Sequence, residues 1–154
     1  MLDDRLYFRQ LLSGRDFART DQVAAQMVNF VYLIGDRQTR ECLVVDPAYA
    51  VTDILQIIDN DEMNLTGVLA THYHPDHVGG SMMGCQIQGV AEVLEQKHVP
   101  IHVNRNETKW VSAPAFARGL RRLLESAYPS LSHQRGQGDS AWLILLSDSL
   151  RRHQ

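Results

Sequence analysis

Cysteine, aromatic residues and long apolar runs are all scarce in this chain. Only two cysteines occur in 154 residues, Cys42 and Cys85. They lack the count and spacing of a disulfide framework or a zinc knuckle, so stability must come from a packed core. A reducing, cytoplasmic home is expected. Met1-Leu2-Asp3-Asp4-Arg5 opens with acids and leads into no apolar stretch, which argues against a secretory leader. The longest apolar run in the tail, Trp142 to Leu146, is far too short to cross a bilayer. The net charge of −3 offers no basic footprint, so neither nucleic acid nor membrane is expected as a partner. No internal repeat is present. With 44% apolar and 21% charged residues, the composition is that of an ordinary globular protein long enough for one core.

One stretch is dense in chemistry: Thr71-His72-Tyr73-His74-Pro75-Asp76-His77-Val78-Gly79-Gly80. His72, His74, Asp76 and His77 are all metal-ligand types, and the apolar run Gly67-Val68-Leu69-Ala70 leads into them. That run reads as a buried strand following a turn at Asn64-Leu65-Thr66. Side chains alternate along an extended chain, so His72 and His74 can leave the same side. Pro75 lacks an N–H, so regular pairing should stop there. Asp76 and His77 point in different directions and can serve a second ion. Gly79 and Gly80 permit a sharp turn. Imidazole and carboxylate without thiolate suit Zn(II), and also Fe(II) or Mn(II), in one or two ions. Two ions about 3.5–4 Å apart can share a water and lower its pKa toward roughly 7.

The run HYHPDH matches the His-x-His-x-Asp-His signature of the metallo-β-lactamase superfamily. With Thr71 and Val78-Gly79-Gly80 it resembles the glyoxalase II-like hydrolase branch. The resemblance extends from about Tyr7 to about Trp110, through Gln26 to Asp36 and Leu43 to Ala48. It implies an α/β fold, the metallo-β-lactamase-like αββα sandwich. It also implies hydrolysis of a thioester or related acyl bond by a metal-bound hydroxide. His72 and His74 would hold the first ion, and His77 and Asp76 the second. Asp76 would also act catalytically by positioning the attacking water. Asp46 would stand behind the ligands and steady them, a role carboxylates commonly play toward metal-bound histidines.

Along the chain, Leu6 to Leu12 reads as a strand or a short helix, and the resemblance favours a strand. Ser13-Gly14-Arg15 is a turn. Val28 to Ile34 and Glu41 to Val45 read as strands joined through Gly35 to Thr39. Asp46-Pro47 reads as a helix start, with Asp46 at the N-cap. Val51, Ile54, Leu55, Ile57 and Ile58 recur at helical spacing. Met82, Met83 and Ile87 are read as core filling, with a substrate entrance as the alternative. The stretch from Gly89 to Lys97 is expected to be helical, and Val99 to Asn104 a strand. His98 and His102 are taken as structural.

Beyond Trp110 the character changes. Residues 1–110 are expected to form a metallo-β-lactamase-like N-terminal half-domain, and 111–154 an atypical tail. In that tail Phe116 to Ala127 reads as a basic helix, His133 to Ser140 as a loop and Trp142 to Leu146 as a short strand. The family resemblance calls for three further ligands in the second half: a histidine in a Gly-His-Thr-Pro-Gly-like turn, a bridging aspartate and a distal histidine. His133, Asp139 and Asp148 are the right residue types in the wrong surroundings. The motif therefore argues for catalysis on a small-molecule thioester or acyl substrate, and the missing ligands argue against it. The contrasting reading is a non-catalytic truncated half-domain or interaction module with weak metal binding, with a homo-oligomer as one form. A persulfide dioxygenase-like iron enzyme, suggested by Phe8-Arg9-Gln10-Leu11, is a lesser alternative.

Overall fold

The computed structural model describes residues 4–107. The expectations for the tail, including His133, Asp139 and Asp148, lie outside the described residues.

Five strands form one mixed sheet in the order β1-β2-β3-β4-β7. β1 (Leu6–Leu12), β2 (Phe30–Asp36) and β3 (Glu41–Val45) pair antiparallel, whereas β4 (Asn64–Ala70) and β7 (Ile101–Val103) extend the sheet in parallel. The turn expected at Asn64 to Thr66 is instead the first part of β4, because Asn64 and Leu65 pair with Glu41 and Cys42 across a bulge. β2 begins two residues later than expected. A helix missed in the sequence, α1 (Gln22–Met27), ends in a left-handed Val28 and delays the strand. Its N-cap is Asp21, whose carboxylate accepts from the N–H groups of Val23 and Ala24.

The helical spacing of Val51, Ile54, Leu55 and Ile58 becomes α2 (Val51–Asn60), and those four residues are buried. α2 carries the crossover that parallel pairing of β3 and β4 requires. α3 (Pro75–Val78) is one turn, followed by the hairpin β5 (Gly80–Met82) and β6 (Cys85–Ile87), and then α4 (Val90–Gln96). Gly79 is needed where it stands. It has φ +86, and a Cβ there would lie 2.7 Å from the backbone of Gly89. The end of α3 can therefore press against the start of α4. Ile87 is buried and Met82 packs against the core, as expected. Met83 does not: it sits at the β5–β6 turn with φ +52 and is 92% exposed.

The two faces of the sheet differ. One presents Tyr7, Leu11, Val31, Leu33, Cys42, Val44 and Val68 to a single core shared with residues of α1, α2 and α4. The other carries Leu6, Phe8, Phe30, Ile34 and Leu69, all exposed. Register places them side by side, with Phe8 opposite Ile34, and the rings of Phe8 and Phe30 flank Tyr32. Among the described residues nothing covers this apolar face. No helix among them is long and apolar enough to cross a membrane.

Candidate metal centre

The site forms because β3 and β4 run parallel and end together. Val45 pairs with Leu69, so the residues after each strand emerge side by side. The N–H of Asp46 donates to the carbonyl of Leu69 at 2.9 Å. After β4 the chain leaves as Thr71 to His74, then Pro75 starts α3 and lifts Asp76 and His77 on its first turn. Function commonly sits beyond the carboxyl ends of parallel strands for this reason.

Asp46 is not a helix cap. α2 starts at Val51, with Ala50 at the cap position and no side-chain capping bond. Asp46 instead has φ +51 and is 7% exposed. Its carboxylate accepts from the N–H of Thr71 at 2.8 Å and from the Thr71 hydroxyl at 2.5 Å. His77 Nδ1 lies 3.1 Å from the same carboxylate.

These contacts dictate proton positions. A carboxylate only accepts, so His77 Nδ1 must carry the hydrogen. The hydroxyl hydrogen of Thr71 points at Asp46, so its oxygen accepts from His72 Nδ1, 2.9 Å away. Both imidazoles are thus set to donate through Nδ1, which leaves Nε2 as the nitrogen available to an ion. His77 Nε2 lies 3.5 Å from an Asp76 carboxylate oxygen. Sequence reading treated Thr71 as a flank; its role depends on a partner 25 residues away.

The rings crowd together. His72 stands 4.7 Å from His74 and 4.1 Å from His77, centroid to centroid. Asp46, His72 and His77 can each offer a ligand atom such that these atoms lie within 4.8 Å of one another. His74 and Asp76 are not in that triple. His74 is exposed and edge-on to His72 and Tyr73, and the Asp76 side chain approaches from the His77 side. His98 and His102 join no such group among the described residues. The donor set is imidazole and carboxylate without thiolate, and two imidazoles are held with free Nε2 atoms. That chemistry fits a divalent ion of the zinc, iron or manganese type.

Burial, followed by the nearby His77 and His74, pushes the His72 imidazole below its ordinary value of 6.5. The folded chain therefore binds fewer protons than the unfolded chain just below that value. The contribution of neutral His72 to stability is complete above about pH 6.5 and is lost as pH falls further. In a chelated sample, the melting temperature should fall between pH 7 and pH 5, and His72→Gln should flatten that decline.

A mixed α/β domain with a histidine–carboxylate cluster at its parallel strand ends is the class these features define. Residues 26–133 match the model of the metallo-β-lactamase superfamily, and the chain belongs to that superfamily. It is 43% identical over 79 residues to a hydroxyacylglutathione hydrolase of Baumannia cicadellinicola subsp. Homalodisca coagulata, covering 48% of this chain and 30% of that protein. It is 44% identical over 68 residues to the hydroxyacylglutathione hydrolase of Vibrio cholerae serotype O1, covering 44% and 23%. The chain thus spans less than a third of the length of these curated relatives. The BLEG-1 B3 metallo-β-lactamase superposes with a TM-score of 0.52 at 19% identity, over 71% of this chain and 42% of that one. That likeness is one of fold.

Proposed function

We propose that residues 1–110 form the metal-holding N-terminal half-domain of a hydrolase acting on thioesters of the hydroxyacylglutathione type, with zinc bound as one or two ions. A reducing, cytoplasmic setting fits both free thiols, Cys42 and Cys85. The observation that carries the reading is the pair of imidazoles, His72 and His77, held with Nε2 free by Thr71 and Asp46.

A bound divalent ion supplies Lewis acidity, polarising an acyl carbonyl and making water a nucleophile near neutral pH. His72 and His74 are assigned to one ion, Asp76 and His77 to a second. Asp46 orients His77 and, through the Thr71 hydroxyl, His72. Asp76 would also accept a hydrogen bond from a water beside the ions and so orient it. The test is thioester hydrolysis by the purified, zinc-loaded chain, compared with the same chain carrying His77→Ala. Turnover above free zinc that disappears in the variant is expected. No turnover at confirmed zinc loading removes the catalytic reading for this chain.

The sheet face left uncovered among the described residues supports a second reading, a non-catalytic interaction module. Leu6, Phe8, Phe30 and Ile34 form a contiguous apolar surface of the kind that marks a docking site. Zinc that is substoichiometric and readily chelated would favour it.

A further inference from the structure

We infer that Asn29 is a positioning residue that aims Asp76 at the metal locus; this rests on the metal-dependent reading above. The Asn29 amide Nδ2 donates to the Asp76 carboxylate at 2.8 Å and to the Asp76 backbone carbonyl at 2.9 Å. One amide group therefore holds the side chain and the main chain of the same residue. The oxygen it contacts, Oδ2, is the one 3.5 Å from His77 Nε2.

Asn29 is itself fixed. Its N–H donates to the Ser13 hydroxyl oxygen at 2.9 Å, and its carbonyl accepts from the Ser13 N–H at 2.9 Å. Ser13 is 1% exposed and its hydroxyl donates to the carbonyl of Ala24 at 2.9 Å. The turn after β1, the end of α1 and the metal loop are thereby joined in one hydrogen-bonded path. Left-handed Val28, with φ +50, delivers Asn29 to that position. A neutral amide suits the task. It restricts the carboxylate by donating to it, yet adds no positive charge to compete with a cation. A lysine or arginine there would neutralise the ligand; an alanine would leave its rotamer free. Outer partners of metal ligands typically contribute 10–100-fold in metal affinity.

The test uses the full chain with Co(II) alone, read by visible absorption, and with Zn(II) alone, read by competition against a chromophoric chelator. Asn29→Ala removes the donor. Asn29→Asp keeps the shape and the backbone bonds but turns a carboxylate toward Asp76, so it covers the case in which the alanine variant does not fold. Both are expected to bind zinc about 10–100-fold more weakly than wild type and to shift the cobalt spectrum, with helix content retained by circular dichroism. A folded variant with wild-type affinity and an unshifted cobalt spectrum overturns the assignment while leaving the metal reading intact. A wild-type chain that takes up neither ion overturns both.

Discussion

Replacing His72 and His77 together with alanine should abolish zinc uptake at micromolar concentrations. These two imidazoles lie 4.1 Å apart, and hydrogen bonds to Thr71 and Asp46 set both with Nε2 free. His74 and Asp76 remain in the variant. His74 is exposed, and Asp76 is held from the Asn29 side, so neither is pre-arranged around a common point without the other two. By the assignment above, each ion loses one of its two named ligands, His72 from the first and His77 from the second, so binding should weaken by more than the about 10–100-fold that loss of an outer partner causes. Neither histidine belongs to the buried core, so the fold should survive, and circular dichroism can verify it. Isothermal titration of both proteins decides the matter. Equal zinc stoichiometry in wild type and variant would mean that the cluster does not grip the ion.

Asp46→Asn is the second large effect, and it separates orientation from bulk. Asparagine is tolerated at the left-handed backbone position that Asp46 occupies, and its size matches. What changes is the hydrogen-bond code. The carboxylate accepts from the Thr71 N–H, the Thr71 hydroxyl and His77 Nδ1. An amide has one accepting oxygen. If that oxygen meets the Thr71 N–H, the NH₂ faces the Thr71 hydroxyl and His77 Nδ1. Nδ1 must then accept, which moves the ring hydrogen to Nε2 and blocks the nitrogen that faces Asp76. Zinc affinity should fall about 10–100-fold. The metal-free chain should lose about 1–3 kcal/mol, because a buried hydrogen-bonded group ends up mispaired. Chelator competition and thermal melts measure the two separately. A lowered melting temperature with unchanged zinc affinity would make Asp46 a structural carboxylate and nothing more.

Much of this chain could be read before folding, for local reasons. An α-helix shows itself through i, i+3, i+4 spacing, as Val51 to Ile58 does. A strand in a mixed sheet shows itself as a short β-branched or aromatic run, as Phe30 to Ile34 does. The four ligand-type residues were legible because they crowd into six positions, and the resemblance built on them led to the superfamily that the chain belongs to. α1 was missed because its apolar pattern is short and its start signal, Asp21, stands among other polar residues. The β5–β6 hairpin was missed because three-residue strands carry almost no periodicity. Asp46 followed by Pro47 satisfied a helix-start rule, yet the carboxylate is engaged elsewhere. Local rules cannot register a partner that parallel pairing of β3 and β4 brings alongside.

The amino-acid order by itself determined the helical spacing of α2, the strand character of β2 and β3, and the crowding of ligand-type residues at 72–77. Each of these is written in spacing and residue type within a few positions. Tertiary structure alone decided that Asp46 reaches Thr71 and His77 and that Asn29 reaches Asp76. Those contacts span 25 to 47 residues of chain and exist only once the strands have paired and their ends have met.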